Sequence, residues 1–378
     1  MLCYDAPRVR ILIDYRPALR ERTGVGEYVH ELASALVPLL TPADSLTLFS
    51  SSWKDRLASG AVPGAAVADA RIPVRLLNFC WHRLRVPPVD WLAGHHDVVH
   101  ALHPIAIPAR NAAAIVTVHD LDFLDHPERT RGEIRRDYAS LAPRHARRAD
   151  RVVAVSQFTA SEVVRRLGVD PARVVICSPG APDWAARAAA APGGPILFVG
   201  TMEPRKNVGV LLDAYERLIS DVRDAPRLVL AGHATAAAAG WIDRVSRPPL
   251  AGRVEHLGYV AGSRRQELYR SASMLVLPSL LEGFGLPVLE AMTVGVPVIV
   301  SDRGALPELA GNAGQVVPAE DADALARAMA RYLREPSFYA AAVVRGLERS
   351  RQYSWTASAR TLLAAYTEVV GARLRVAQ

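Results

Sequence analysis

Short, uninterrupted apolar runs alternate along the chain with longer segments whose apolar positions recur every three or four residues. In the first half, a helical pattern extends over 27–40, and apolar runs occupy 8–14, 97–100, 114–119 and 151–156. Strands of a parallel sheet are buried on both faces and read as continuous apolar runs, whereas the crossover helices show the helical period. The alternation therefore predicts a parallel α/β sheet.

The same alternation starts again in the second half. The predicted helices are 208–220, 263–271 and 321–334, and the predicted strands are 196–200, 227–232, 254–258, 274–277, 297–300 and 315–317. Residues 184–195 are small and bounded by proline and glycine, which is typical of a linker. An amphipathic pattern over 353–373 predicts one last helix. We therefore expect an N-terminal domain over 1–184, a second domain over 185–352, and a terminal helix within 353–378.

Length and composition fit this division. A chain of 378 residues, half of them hydrophobic and 22% charged, is long enough for two globular cores. Cys3, Cys80 and Cys177 are too few and too far apart for a disulfide framework, which favours a reducing compartment. The N-terminus lacks the apolar run of a signal peptide, and no apolar stretch reaches the roughly 18 residues of a membrane span. We expect a cytoplasmic protein, either free or peripheral on the cytoplasmic face of the membrane.

The net charge of +7 and the pI near 9.6 admit a nucleic-acid binder as an alternative. All but two of the 45 basic residues are arginine, however, and a genomic bias towards arginine accounts for the charge about as well as binding does. That bias makes Lys206 notable, because a lysine persists there among arginines.

The segment 279–304 carries the most specific chemical pattern. Glu282 and Glu290 flank a Gly-Phe-Gly turn, and Pro287 opens a helix, where the missing N–H of proline costs nothing. The glycines permit a tight turn and a close approach of backbone amides, and a helix start attracts phosphate. Both carboxylates are placed to accept hydrogen bonds from hydroxyl groups. An anion site with hydroxyl acceptors on either side suits a sugar nucleotide.

A second cluster lies where the strand 196–200 ends. Residues 200–207 read Gly-Thr-Met-Glu-Pro-Arg-Lys-Asn, and ligands of open α/β sheets bind at the carboxyl ends of the strands. Arg205 offers a planar fork and Lys206 a point charge. The pair suits a diphosphate.

The block from Glu282 to Met292, with Gly-Val-Pro-Val-Ile at 295–299, resembles the E-x7-E signature of the large family of retaining glycosyltransferases known as family 4. The resemblance extends over nearly the whole chain, from the loop at Gly24 to the terminal helix. It implies the GT-B fold, an α/β architecture of two Rossmann-like domains that face each other across a cleft, with the terminal helix crossing back to the first. It also implies transfer of a hexose from a nucleoside-diphosphate sugar with retention and without a metal ion.

The resemblance further implies a role for each donor-site residue. Arg205 and Lys206 would bind the diphosphate and assist its departure, Glu282 would bind the sugar hydroxyls, and Glu290 would bind the ribose. The turn that completes the donor site comprises Gly283, Phe284, Gly285 and Leu286. The base would lie against the backbone near Tyr259 and Val260.

Two positions of the first half complete the site that the resemblance implies. The loop with Gly24 and Gly26 would cover the donor phosphates, although this chain has Thr23 where the family usually has glycine. Gly24 and Gly26 without a third glycine make a weak dinucleotide fingerprint, which disfavours an NAD-dependent enzyme. His119 stands at the family's active-site histidine and is our candidate for contact with the donor sugar, and Asp120 either orients it or caps the next turn.

The donor and acceptor follow from subfamily resemblance alone. A GDP-sugar, either GDP-mannose or a GDP-deoxyhexose, is favoured over a UDP-sugar, and the expected acceptor is a lipid-linked oligosaccharide of a surface polysaccharide. Residues 73–92 mix arginines with aromatic residues, and 129–151 are rich in arginine. Both segments fit a membrane headgroup layer and a solvated face equally well.

The resemblance leaves two alternatives, one for the class of enzyme and one for the route to retention. The same fold also serves nucleotide-sugar isomerases and hydrolases of the 2-epimerase type, which need no acceptor. Retention itself requires either a carboxylate nucleophile or attack from the same face assisted by the leaving phosphate. No nucleophile is identifiable in the sequence, and the resemblance favours the second route.

Overall fold

The computed structural model describes residues 8–19, 22, 24–130, 132, 134–189 and 191–376. The chain forms two compact units. The first runs to Gly180 and resumes at Ser354, and the second comprises Ala181–Tyr353. The expected boundaries at 184/185 and 352/353 lie within four residues of these junctions.

The first unit contains a seven-stranded parallel sheet in the order β3-β2-β1-β4-β5-β6-β7. Its strands are β1 (Arg10–Asp14), β2 (Ser45–Ser50), β3 (Ala66–Asp69), β4 (Val98–Ala101), β5 (Ala113–Val118), β6 (Arg151–Ala154) and β7 (Val174–Ile176). The four predicted strands are confirmed. The pattern missed β2, in which serine and threonine interrupt the apolar run, and the short outer strands β3 and β7.

Within the residues that the structure describes, the first unit has six α-helices before the chain enters the second. They are α1 (Gly24–Leu36), α2 (Val74–Phe79), α3 (Asp90–Ala93), α4 (Asp122–Asp125), α5 (Ala139–Arg148) and α6 (Gln157–Leu167). A π-helical turn over Cys80–Leu84 continues α2.

Helix α1 corrects one prediction. It begins at Gly24, three residues before the expected start, so Gly24 and Gly26 lie in its first turn and not in a preceding loop. A Cβ on Gly26 would lie 2.7 Å from the carbonyl oxygen of Pro17. The glycine therefore lets the helix start pack against the preceding backbone, a contact that no local pattern reveals. Thr23 lies outside the described residues.

The second unit repeats the winding in a six-stranded parallel sheet, ordered β10-β9-β8-β11-β12-β13. Its strands are β8 (Ile196–Val199), β9 (Leu228–Ala231), β10 (Val254–Gly258), β11 (Met274–Leu277), β12 (Val298–Ser301) and β13 (Gln315–Val317). Its helices are α7 (Val208–Asp221), α8 (Ala239–Val245), α9 (Gly262–Ser271), α10 (Leu286–Thr293), α11 (Leu306–Ala310), α12 (Ala322–Arg334) and α13 (Pro336–Ser350). All six predicted strands are confirmed, as is the Rossmann-like order of both sheets.

The segment expected to be a linker packs within the second unit instead. The Trp184 ring lies 5.8 Å from that of Tyr269. The guanidinium of Arg187 donates to the backbone oxygen of Ala272 at 2.6 Å and to the hydroxyl of Tyr339 at 2.7 Å. A small-residue composition indicates irregular backbone, but these two large side chains anchor it.

The terminal helix α14 (Trp355–Val376) belongs to the first unit and packs against α1. The Tyr366 hydroxyl and His100 Nδ1 lie 2.6 Å apart, and Arg373 pairs with Asp150 at 2.8 Å. The expected return of this helix to the first domain is confirmed. Among the described helices, none combines the length and apolarity needed to cross a bilayer.

Candidate functional site

Each sheet reverses its winding direction once, between β1 and β4 in the first unit and between β8 and β11 in the second. Loops leaving the carboxyl ends of two such strands diverge, and the crevice between them is the usual ligand site of an open α/β sheet. Each unit therefore has one preferred position for a site, and polar side chains occupy both positions.

The loop after β8 brings Arg205 and Lys206 to the preferred position of the second unit. Gly200 and Gly232 have φ values of +154° and +147°. A Cβ on Gly232 would lie 2.0 Å from the Gly200 carbonyl oxygen, so the loops after β8 and β9 pass in direct contact. Only glycine permits both this approach and these dihedrals.

Asn207 holds the same loop against the loop after β11. Its side-chain amide donates to the backbone oxygens of Pro278 at 3.1 Å and Ala319 at 2.7 Å. The backbone N–H of Leu280 donates to the oxygen of Arg205 at 2.8 Å. The two predicted clusters, 76 positions apart along the chain, are therefore neighbours.

Glu282 is the centre of the contacts between these clusters. Lys206 Nζ donates to Glu282 Oε1 at 2.5 Å, and an Arg205 guanidinium nitrogen lies 3.3 Å from Oε2. The Ser279 hydroxyl donates to Oε1 at 2.7 Å. Arg205 also pairs with Glu203 at 2.9 Å. The two cations predicted to bind a diphosphate thus share one buried carboxylate, a pairing that the sequence reading did not include.

These contacts set the protonation state of Glu282. Burial alone would raise the pKa of this carboxyl, but the positive charges of Lys206 and Arg205 and the hydrogen bond from Ser279 outweigh it and lower the pKa to about 2. Glu282 is therefore fully ionised near neutral pH. Two cations and two carboxylates keep the cluster near electrical balance, which limits the cost of burying it.

The turn after Glu282 leads directly into α10. Gly285 has φ +111° and precedes the helix, which begins at Leu286, so Pro287 is its second residue and not its first. The Phe284 ring is buried and meets the Tyr353 ring edge-on at 5.5 Å. This packing fixes the turn that leads into the first turn of α10, whose N–H groups have no partner within the helix.

Glu290 lies on the second turn of α10 and is buried. Arg265 on α9 pairs with it at 3.2 Å. Burial raises the pKa of the nearby Tyr269 hydroxyl well above its usual value, and the Glu290 carboxylate adds to the shift. The second glutamate of the motif therefore also has an arginine partner, and Arg265 is a residue that the sequence reading missed.

Tyr259 and Val260 follow β10, at the same edge of the sheet. The Tyr259 ring stacks on the His233 ring with a centroid distance of 5.1 Å and an interplanar angle of 11°. His233 follows β9 and was not predicted. A flat stacked pair of this kind gives the expected base region a firm aromatic boundary.

The preferred position of the first unit holds a different cluster around Asp14, the last residue of β1. Arg16 contacts both carboxylate oxygens, at 2.8 and 2.6 Å, and His103 Nε2 lies 3.1 Å from Oδ2. Burial would raise the pKa of Asp14, but Arg16 and His103 hold it well below its usual range. The signal for Asp14 was present in the sequence, because it is the one charged residue in the run Ile11–Asp14.

His119 follows β5, as predicted, and lies in the same unit. Its Nε2 donates to the Leu102 oxygen at 3.2 Å, and its ring meets Tyr28 edge-on at 5.1 Å. Burial lowers the pKa of His119 to about 4 against the opposing effects of Leu102 and Asp120. The ring is therefore neutral near pH 7, and with Nε2 protonated its Nδ1 is an acceptor suited to a hydroxyl group.

Asp-x-Asp sequences, which can hold a divalent cation, occur at 120–122 and at 321–323 and bear on the expectation of a metal-free site. Asp122 pairs with Arg129 at 3.2 Å, and Asp120 accepts the backbone N–H of Asp122. In the other, Asp321 caps α12 through the Ala324 N–H, and Asp323 pairs with Arg217. Within the described parts of the chain, no three His, Cys, Asp or Glu side chains are grouped as metal ligands would be.

The structure therefore groups Arg205, Lys206 and Glu282 most closely, and it places the turn 283–286, Glu290 and Tyr259 on loops and a helix at the same edge of the second sheet. Gly24, Gly26 and His119 belong to the first unit, where His119 contacts Tyr28 of α1.

Comparisons with known proteins identify the family of this chain. The family model for group 1 glycosyl transferases matches residues 194–335, and that for Glycosyltransferase Family 4 matches residues 22–184. The chain is 31% identical to the O-antigen chain mannosyltransferase B of Escherichia coli, with 92% of this chain and 96% of the relative covered. It is 28% identical to the D-inositol 3-phosphate glycosyltransferase of Kribbella flavida, with 93% and 92% covered.

Among solved structures, a sucrose-phosphate synthase from Thermosynechococcus elongatus superposes with a TM-score of 0.78 at 20% identity, covering 97% of this chain and all of the other. This likeness concerns the fold alone. The two family models and the mannosyltransferase relative, which aligns over nearly the full chain, show that this protein belongs to the group 1, family 4 glycosyltransferases and is a hexosyltransferase of the GT-B fold.

Proposed function

We propose that this glycosyltransferase moves mannose or a deoxyhexose from a GDP-sugar to a lipid-linked oligosaccharide, with retention of the anomeric configuration and without a metal ion. The observation that carries the proposal is the buried contact of Lys206 and Arg205 with Glu282 at the β8/β11 reversal. It joins cations suited to a diphosphate with a carboxylate suited to sugar hydroxyls.

Lys206 and Arg205 would stabilise the negative charge that develops on the leaving diphosphate. An ammonium has three N–H donors, and among the described residues the Lys206 side chain donates only to Glu282. Lys206 therefore retains donors for phosphate while its position is fixed. Preorganised charge of this kind lowers the barrier because it needs no reorganisation during reaction, and it replaces the divalent cation used at other diphosphate sites.

Glu282 would bind the hydroxyls of the donor sugar, and Glu290 those of the ribose. Both are buried acceptors with a fixed cation partner, so their orientation is set before the donor arrives. The turn 283–286 would present backbone N–H groups to the phosphates, and the base would lie near Tyr259 and Val260. We keep Gly24, Gly26 and His119 as candidate contacts of the first unit with the donor.

The reaction is proposed to follow the same-face route. The acceptor hydroxyl oxygen forms a bond to the anomeric carbon as the bond from that carbon to the diphosphate oxygen breaks. The acceptor's proton passes to the departing phosphate oxygen. Glu282 is a poor nucleophile for the alternative route, because three donors share its oxygens and its pKa is lowered to about 2.

The donor and acceptor assignments draw on the relative named above, a mannosyltransferase of O-antigen synthesis that aligns over 92% of this chain. A lipid-linked acceptor would be met at a membrane surface, so we propose a cytoplasmic protein with peripheral membrane contact. We propose no nucleic-acid partner, since the arginine bias accounts for the charge.

A panel of nucleotide sugars tests the proposal. Purified protein is mixed with GDP-mannose, GDP-deoxyhexoses, UDP-glucose and UDP-N-acetylglucosamine, and thermal stabilisation and release of nucleoside diphosphate are measured with and without a glycolipid acceptor. Stabilisation by GDP-sugars and acceptor-dependent release of GDP support it. Stabilisation by UDP-sugars alone would contradict the donor assignment, and acceptor-independent conversion would indicate an isomerase or hydrolase.

A further inference from the structure

The segment formed by α2 and its π-helical extension, residues 74–86, exposes apolar side chains that a solvated surface would not carry. Leu76, Phe79, Leu84 and Val86 are 54%, 50%, 60% and 47% exposed. We call these four residues the exposed apolar patch. No other segment of the described chain exposes as many large apolar side chains, and exposed apolar side chains that gather on one surface mark an interaction site.

The buried face of the same segment is apolar as well. Leu77 and Trp81 are 1% and 3% exposed and belong to the core of the first unit. The Trp81 indole N–H donates to the Pro87 oxygen at 2.8 Å. The segment is therefore anchored by its own apolar face, and the exposed apolar patch is not required for the fold.

Three guanidinium groups lie beside this patch. Arg85 separates Leu84 from Val86 and has a left-handed φ of 57°. Helix α5, which carries Arg144 and Arg148 one turn apart, packs into the same core cluster as Leu77 and Trp81 through Ala142 and Ala146. Burial and the charges of Arg144 and Arg148 lower the pKa of Arg85. All three are exposed, and the described residues include no carboxylate within salt-bridge distance of them. We call them the arginine triad.

Acidic residues are missing from the neighbouring sequence. Residues 70–89 contain no aspartate or glutamate, and neither does α5. Asp137, which pairs with Arg83 and Arg136, is buried beneath them. Within the described residues, the surface therefore combines apolar side chains with exposed arginines that no carboxylate pairs. Anionic lipid headgroups complement the charge, and the acyl boundary accepts the apolar groups.

We propose that the exposed apolar patch and the arginine triad form a docking surface for an anionic phospholipid bilayer. The patch enters the headgroup boundary and the triad binds lipid phosphates. The proposal rests on surface chemistry of the first unit alone, so it does not depend on the donor assignment. It extends the proposed function by naming the surface that would hold the protein at its lipid-linked acceptor.

Co-sedimentation with vesicles tests this surface. Vesicles of phosphatidylcholine alone are compared with vesicles of equal parts phosphatidylcholine and phosphatidylglycerol, at low and high salt. We expect partitioning to the anionic vesicles that weakens with salt. Arg144→Gln together with Arg148→Gln should lower the partition coefficient by about fivefold for each charge removed. Phe79→Gln together with Leu84→Gln should lower it by roughly tenfold, with less salt dependence.

Matched controls come from the second unit. Arg223→Gln with Arg327→Gln removes two exposed arginines, and Val344→Gln removes an exposed apolar side chain. These variants should partition like the wild type. Circular dichroism and GDP titration check that all variants remain folded, and intact GDP binding with lost vesicle binding separates this proposal from the donor assignment.

Three outcomes would overturn the proposal. One is equal wild-type partitioning to neutral and anionic vesicles, and another is unchanged partitioning of both double variants. The third is a dimer in sedimentation velocity that Phe79→Gln with Leu84→Gln dissociates, since a second copy would then occupy the patch.

Discussion

The two units place opposite chemistry at the same position of the same sheet topology. At the β1/β4 reversal, the strand-end residue is an acid, Asp14, and the histidine His103 follows the fourth strand. At the β8/β11 reversal, cations follow the first strand, and the acid, Glu282, follows the fourth. Each reversal thus brings an acid and a nitrogen donor together across the crevice, in opposite order.

The difference lies in what remains available to a ligand. Both oxygens of Asp14 accept bonds from Arg16, and His103 adds a third donor and accepts the Ile105 N–H on its other nitrogen. Around Glu282, by contrast, the Lys206 ammonium retains donors. We therefore expect the first cluster to hold its own loops, and we propose that the second exchanges partners with an anion.

The largest expected effect is on turnover in Glu282→Gln. The amide keeps the shape but removes the charge that orients Lys206 and accepts sugar hydroxyls, so kcat should fall roughly hundredfold or more, as misplaced reacting groups do. Affinity for inorganic diphosphate should rise, because Lys206 loses its internal competitor. Steady-state kinetics and calorimetry measure both. Turnover like that of the wild type would refute the donor-site assignment.

Asp14→Asn should act on stability instead. Removing the charge leaves Arg16 buried beside a neutral amide, and breaking a buried ion pair costs about 3–5 kcal/mol of unfolding free energy. GDP affinity of the folded protein should be unchanged. Urea unfolding and GDP titration of the same sample check both. A loss of GDP affinity without a loss of stability would mean that the first cluster is also a ligand site.

Lys206→Ala should weaken binding of GDP by roughly tenfold to hundredfold, since a charge-assisted hydrogen bond contributes about 1.5–3 kcal/mol. Binding of guanosine should change little, and Lys206→Arg should recover part of the loss. The chain offers a matched control in Lys54→Ala, its only other lysine, which lies in the first unit. Equal weakening for guanosine and GDP would place Lys206 away from the phosphates.

Acid should affect the first unit before the donor site. The pKa values of His100 and His119 are lowered by burial to about 3 and about 4, so the unfolded chain binds more protons as the pH falls below about 6.5. The stability that these two neutral histidines contribute is fully present above about pH 6.5. It is lost as the pH falls from there towards their pKa values in the folded protein. Glu282, with a pKa of about 2, stays ionised over this range.

Hydrogen exchange near pH 7 and about pH 5 therefore should show protection falling in the first unit, whose buried histidines titrate near 6.5 once unfolded. GDP affinity should persist. Protection lost equally in both units would contradict the comparison.

The smallest expected effect is that of chelation. EDTA should leave transfer unchanged, because Lys206 and Arg205 are proposed to supply the charge that a divalent cation would otherwise provide. Donor turnover before and after chelation is the measurement. Inhibition that magnesium or manganese reverses would show that a divalent cation, and not Lys206 and Arg205 alone, supplies this charge.

Local pattern was sufficient for most of the second unit and for less of the first. Most strands of the second sheet are apolar runs between turn residues, so the pattern identified them, although β10 carries Glu255 and His256. In the first, serine and threonine interrupt the apolar run of β2, and the residues of β3 and β7 are only partly buried or exposed, so neither outer strand shows the continuous apolar run of a central strand. Gly26 was assigned to a loop, because its reason for being glycine is the Pro17 backbone and not its own neighbours.

The sequence by itself determined the alternation of strands and helices, the E-x7-E motif, and the candidates Arg205, Lys206, Glu282 and Glu290. The tertiary structure alone decided their partners. Lys206 meets Glu282 and His103 meets Asp14 only because each sheet reverses its winding between the strands that carry them. Periodicity encodes which face of an element is buried, whereas strand order decides which loops share an edge. The charge state of a buried group depends on those neighbours, so it follows from strand order and not from local sequence.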